Sequence, residues 1–132
     1  MTGVIFSDLG VASSFMSLNW VQDALKQCLG FAPFPATLNV RPKDADDAQT
    51  WRLLRAESGG VPLEAKGFCS ARLYPIEVLS RAGAGENKIA GAVLVPEVKD
   101  YPSDKIEIVA PVRLKDHLGV RDGDAITLEF LN

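Results

Sequence analysis

The stretch Phe31-Ala-Pro-Phe-Pro-Ala-Thr-Leu-Asn-Val40 sets a proline-fixed turn directly ahead of an alternating polar and apolar run. Proline locks its own φ and pushes the preceding residue to extended backbone. Pro33 and Pro35 therefore feed a strand, predicted over Thr37–Arg41. Side chains two positions apart on a strand share a face, which puts Thr37 beside Asn39. Their hydroxyl and amide oxygens are hard donors, the kind that suits Mg²⁺ and its waters. A threonine that merely favours strands and an asparagine that ends a turn would read the same way. A second stretch, Tyr101-Pro-Ser-Asp-Lys-Ile-Glu-Ile-Val-Ala-Pro111, repeats the arrangement: a proline turn, then a strand over Ile106–Val109 with Glu107 pointing away from its isoleucines.

Outward from these two segments the chain reads as mainly β. A strand is expected over Gly3–Ser7, with Phe15–Leu18 as its hairpin partner across Asp8–Ser14. Apolar residues then change to helical spacing at Trp20, Val21, Ala24, Leu25, Cys28 and Leu29. Asn19 and Gln22 offer a capping box for that helix and Gly30 a stop. Lys43–Thr50 reads as a polar loop whose acidic residues lack the glycine and terminal glutamate of a calcium loop. Strands are expected over Cys69–Leu79, Ile89–Val95 and Ala125–Phe130, with a short helical turn at Arg113–Leu118 ending on Gly119. Gly83-Ala-Gly85 is too short for a dinucleotide fingerprint, and no helix is expected after it. Many short strands with one or two short helices point to a closed or nearly closed β-barrel.

Composition limits the function classes. A chain of 132 residues, 47% hydrophobic and 23% charged, fits one domain spanning 1–132 with a full core. A net charge of −3 and a pI near 5.1 leave no basic stripe for nucleic acid. The cysteines, Cys28 and Cys69, have no metal-ligand spacing and are expected to be buried thiols in a reducing compartment. A single histidine argues against a triad or a histidine zinc site. No apolar run is long enough for a membrane span and no leader precedes the first strand, so a cytoplasmic location is expected.

The order of these motifs resembles the CTP-dependent riboflavin kinases, a family of six-stranded cradle-loop β-barrels. The matching pieces are Leu29-Gly-Phe31 leading into Pro35-Ala-Thr-Leu-Asn39, Gly67-Phe-Cys69, Tyr101-Pro102 with Asp104, Ile106-Glu-Ile-Val-Ala-Pro111, and Leu118-Gly-Val-Arg-Asp-Gly-Asp124. The resemblance implies Mg²⁺-assisted phosphoryl transfer from CTP to the terminal ribityl hydroxyl of riboflavin, giving FMN. It implies Thr37 and Asn39 as metal ligands, and Glu107 as the flavin-contacting carboxylate; if Glu107 lines a cavity rather than facing outward on a half-buried strand, it can take the catalytic role of orienting the ribityl hydroxyl or accepting its proton. For the nucleotide it implies Asp8, Leu9, Gly10, Val11 and Ala12, together with Val112, Arg113, Leu114 and Lys115. Lys99 stands at the position of the family's flavin-contacting threonine.

Several positions depart from the family pattern. Asp8 and Ala12 replace glycines, Val11 a glutamate, and Ala36 the glycine of the metal motif. Glycine lets backbone amides approach a phosphate closely, and a carboxylate at Asp8 repels one. The sequence therefore leaves open a catalytically silent barrel that binds flavin or another small ligand without a nucleotide. A dimerising regulatory barrel is a weaker alternative, opposed by the acidic pI. The expected partners are a flavin and a nucleotide, with no nucleic acid and no membrane; the oligomeric state is not legible.

Overall fold

A computed structural model describes residues 1–7, 16, 18–56, 60–63, 71–80, 87–97 and 101–131. Its strands are β1 (Thr2–Phe6), β2 (Leu38–Pro42), β3 (Val61–Leu63), β4 (Ala71–Ser80), β5 (Asn87–Pro96), β6 (Ile106–Val109) and β7 (Ala125–Phe130). Three helices accompany them among the described residues: α1 (Asn19–Leu29), α2 (Ala45–Ala56) and α3 (Leu114–Leu118). The sheet runs β3-β4-β5-β6-β2-β1-β7, and a further β4–β7 pairing closes six of these strands into an antiparallel barrel. The expected six-stranded barrel is present, with three helices among the described residues rather than one or two.

Strand β4 explains how the barrel closes around a proline. One edge pairs with β5 along its whole length; the other carries β3 at Ala71–Leu73 and β7 at Ile76–Leu79. Pro75 falls between those two partners, where no ladder hydrogen bond needs its missing N–H, and its carbonyl accepts the Leu131 amide.

Alternation sorts the strands into two apolar faces. Ile5, Leu38, Val40, Tyr74, Ile76, Val78, Val93, Ile106, Ile108, Ile126 and Leu128 fill the interior. Residues of opposite parity, Leu73, Ala92, Leu94 and Val109, form an outer patch covered by Met16 and by Val21 and Leu25 of α1. Each fully buried side chain of this size contributes roughly 1.5–3 kcal/mol. Strand β6 is thus buried on both faces, which decides the environment of Glu107.

Some expectations need correction. Both edges of β1 are taken, by β2 and β7, and the hairpin expected across 8–18 lies outside the described residues except at Met16 and Leu18. The described residues there are Met16, helical and fully buried under α1's patch, and Leu18. The cap of α1 is Leu18 in extended conformation, without a side-chain bond; the Gln22 amide donates instead to the Met16 carbonyl at 2.6 Å. Gly30 does end the helix, at φ 80°. Cys28 is exposed although it shares a stripe with Val21 and Leu25, because the full burial of that stripe stops at Leu25 and does not reach the last turn of α1. Cys69 lies outside the described residues.

The acidic segment at 43–50 is mostly helix, not loop. Asp44 Oδ1 accepts the Asp47 amide at 3.0 Å, and Asp46 and Asp47 occupy the first turn, where carboxylates suit the helix dipole. The amide of Asp47 is also the main reason the Asp44 carboxyl is held below its ordinary range. Three turns follow because Trp51, 1% exposed, packs edge-on to Tyr74 and against Phe130 at centroid distances of 5.6 and 5.8 Å. Asp47 Oδ1 accepts the Thr2 amide at 2.9 Å, tying α2 to β1.

Candidate active site

Two prolines and one backbone bond place the metal-motif segment. The Phe34 amide, held between Pro33 and Pro35, donates to the Ala110 carbonyl at 2.7 Å. That bond fixes the entry to β2 against the end of β6. The β2–β6 register then sets Asn39 directly opposite Glu107, with Phe6 opposite Asn39 on β1 and Leu94 opposite Glu107 on β5. Directly opposed residues of an antiparallel pair project to one face, roughly 5 Å apart at Cβ. Asn39 and Glu107 are therefore neighbours on the outer face, one row from the patch under α1.

Thr37 joins them. It precedes β2 rather than opening it, yet its Oγ1 donates to Glu107 Oε1 at 3.3 Å. Glu107 is 6% exposed. A buried carboxylate must be hydrogen-bonded or paired, and this one is: the Tyr101 hydroxyl donates to Oε2 at 2.5 Å, and Lys105 Nζ lies 4.0 Å from Oε1. Asn39 Oδ1 is the contrast. It is buried, and among the described residues it has no hydrogen-bond partner. Such an orphan costs about 1–3 kcal/mol. A hard cation, or water bound to one, would satisfy it, so the donor set of Thr37 Oγ1 and Asn39 Oδ1 fits Mg²⁺.

Thr37 also faces a cleft of about 120 Å³ lined by Phe34, Ala36, Leu38, Ile108, Ala110, Val112, Arg113, Leu114 and Lys115. The cleft thus brings Thr37 together with all four residues of 112–115 expected to hold a nucleotide. Their side chains are not equal. Leu114 is buried in the core, Arg113 is half-exposed with its Nη1 2.7 Å from Asp116 Oδ1, and Lys115 Nζ lies 2.8 Å from Asp122 Oδ1. Asp122 Oδ2 also accepts the Ser7 hydroxyl. Lys115 first, and Ser7 second, hold the Asp122 carboxyl below its ordinary value. Ser7 leads into Asp8, Leu9, Gly10, Val11 and Ala12, which lie outside the described residues, as does Lys99.

Tyr101 and Lys105 are the participants that the sequence reading did not single out. Tyr101-Pro102 was visible as a motif, but nothing in its spacing says that the phenol turns back to a carboxylate six residues later. Among the described residues no cluster of three or more metal-ligating His, Cys, Asp or Glu side chains occurs, and no helix is long and apolar enough to cross a membrane.

The model of the CTP-dependent riboflavin kinase family, described as a domain of unknown function (DUF120), matches residues 5–130. The chain belongs to this family. It is 38% identical over 132 residues to a riboflavin kinase of Pyrobaculum arsenaticum, covering 99% of this chain and 60% of that protein. It is 31% identical over 134 residues to a riboflavin kinase of Archaeoglobus fulgidus, covering 98% of this chain and 53% of that protein. A riboflavin kinase of Aeropyrum pernix is 32% identical over 133 residues, covering 98% of this chain and 94% of that protein. The chain spans about three fifths of the Pyrobaculum relative and nearly all of the Aeropyrum one.

Proposed function

We propose that this chain phosphorylates riboflavin to FMN, taking the phosphoryl group from CTP with Mg²⁺. The observation that carries the proposal is one juxtaposition: a buried, hydrogen-bonded Glu107 opposite an orphaned Asn39 Oδ1, joined through Thr37 to a cleft bearing Arg113 and Lys115. The names of the relatives supply the substrate; the arrangement of groups supplies the reason it can be used.

Phosphoryl transfer asks a protein for position and for charge stabilisation. The acceptor is the terminal ribityl hydroxyl. Its oxygen forms the new bond to the γ-phosphorus, the bond from that phosphorus to the β–γ bridging oxygen breaks, and CDP leaves. Glu107 Oε1, turned towards Thr37, orients the hydroxyl and receives its proton. Lys115 and Arg113 offset phosphate charge from the far wall of the cleft. Val112 and Leu114 shape that wall. Thr37 and Asn39 would hold a magnesium ion, which when bound would supply charge neutralisation for the phosphate groups. Asp8 to Ala12 are assigned to the nucleotide and Lys99 to the flavin.

Calorimetric titration with riboflavin, FMN, CTP and ATP, each with and without Mg²⁺, tests this reading. Magnesium-dependent CTP binding together with flavin binding is expected. Flavin binding with no nucleotide binding would replace the kinase with a silent flavin-binding barrel. Binding of neither ligand would remove the function and leave the architecture.

A further inference from the structure

The contact that ordinary barrel packing does not require is the one between Tyr101 and Glu107. Tyr101 is half-buried and, among the described residues, stands in neither hydrophobic cluster. Its ring stands outside the barrel wall, carried by a turn that the Lys105 amide closes on the Pro102 carbonyl at 3.3 Å. From there the phenol reaches back to Glu107 Oε2 at 2.5 Å. The same turn places Lys105 Nζ 4.0 Å from Oε1 and 5.8 Å from the Tyr101 ring centroid. A turn of five residues therefore directs a hydrogen bond and a positive charge at one buried carboxylate.

We propose that Tyr101 is a positioning residue for the acceptor-side carboxylate: it occupies Glu107 Oε2, so that Oε1 alone remains turned towards Thr37 and the acceptor hydroxyl. The inference rests on the role given to Glu107 above and goes beyond it. A carboxylate is symmetric, and its terminal torsion is broad and roughly two-fold. Unheld, its oxygens exchange and the plane of the group swings. A phenol has one proton to donate, and donating it to Oε2 pins the plane of the carboxylate. The hydroxyl of Thr37 then donates to Oε1, and its own lone pairs would stay available to a cation. Tyr101 thereby sets the angle at which an alcohol approaches, a requirement of the reaction and not of the fold.

The test is a double-mutant cycle on the whole chain, with Tyr101→Phe, Glu107→Gln and the pair, measured by FMN formation from riboflavin, CTP and Mg²⁺, with melting temperature recorded for each. Tyr101→Phe is expected to lower kcat about ten- to hundredfold, the rate equivalent of one hydrogen bond to a charged group. The KM for CTP should change by less than about twofold, because the nucleotide wall is untouched. Adding Tyr101→Phe to Glu107→Gln should cost nothing further in kcat, since the proposed role of Tyr101 in the reaction runs through Glu107. Wild-type kcat in Tyr101→Phe, with or without a lower melting temperature, would overturn the proposal and leave a structural contact. So would an undiminished Tyr101→Phe effect in the Glu107→Gln background. If the unmodified chain forms no FMN, the kinase reading itself fails and the role of Tyr101 falls with it, an outcome distinct from the other two.

Discussion

Replacing Asn39 with leucine should make the ligand-free protein more stable and the ligand-bound protein impossible. Asn39 Oδ1 is buried without a partner among the described residues, on a face it shares with Phe6 and Glu107. An unsatisfied buried acceptor costs about 1–3 kcal/mol, and a near-isosteric apolar side chain removes that cost. For a chain of this size 1 kcal/mol moves the melting temperature by roughly 4 °C, so Asn39→Leu should melt about 4–12 °C higher without ligand. In the wild type, CTP with Mg²⁺ at about a hundredfold over Kd adds about 2.7 kcal/mol, or roughly 10 °C. That ligand-dependent rise should vanish in the variant. Melting curves of both proteins with and without Mg²⁺ and CTP give all four numbers. A variant that melts lower than wild type, yet still gains the full ligand-dependent rise, would show that the oxygen is neither strained nor a ligand.

Three other outcomes follow from the same geometry. Gly91→Ala should destabilise the barrel by about 1–3 kcal/mol, because its Cβ would stand 2.6 Å from the Val109 carbonyl oxygen on β6; denaturant titration reads this as a lower midpoint at unchanged slope. Trp51→Ala removes the aromatic plug under α2 and should cost about 3–5 kcal/mol, while flavin binding by the residual folded fraction stays intact. Asp122→Asn tests the Lys115 contact by pH. A depressed carboxyl value means that Asp122 contributes stability above its unfolded value of 3.8 and loses it as the pH falls through the lower folded value. Wild type should therefore melt above Asp122→Asn at pH 7, and the two should converge below about pH 3.8; a gap that persists in acid would contradict the assignment.

The barrel was legible because period-2 apolar patterns survive in strands with one interior face. Ala125–Phe130 and Ile106–Val109 were read to the residue. The short strand Val61–Leu63 carries too few residues to show any period, and it exists only because β4 offers it an edge. The helix at 45–56 was missed because its buried stripe is little more than Trp51; the usable signal was local, Asp44 three residues before Asp47. In the site, Thr37, Asn39 and Glu107 were each marked by strand parity, but parity cannot say which strands are neighbours. That Asn39 faces Glu107 depends on the β2–β6 register, between strands separated by over sixty residues and by three other strands and a helix. From parity alone Glu107 reads as an outward carboxylate in water. It is buried instead, with Thr37, Tyr101 and Lys105 all brought against its carboxylate.

The measurement that bears most directly on the central claim is product analysis after incubating the chain with riboflavin, CTP and Mg²⁺, alongside Glu107→Gln. Stoichiometric FMN and CDP from the wild type, falling at least a hundredfold in the variant, is the predicted result. The account is contradicted by a folded wild type that forms no FMN, or by a Glu107→Gln variant that forms it at the wild-type rate.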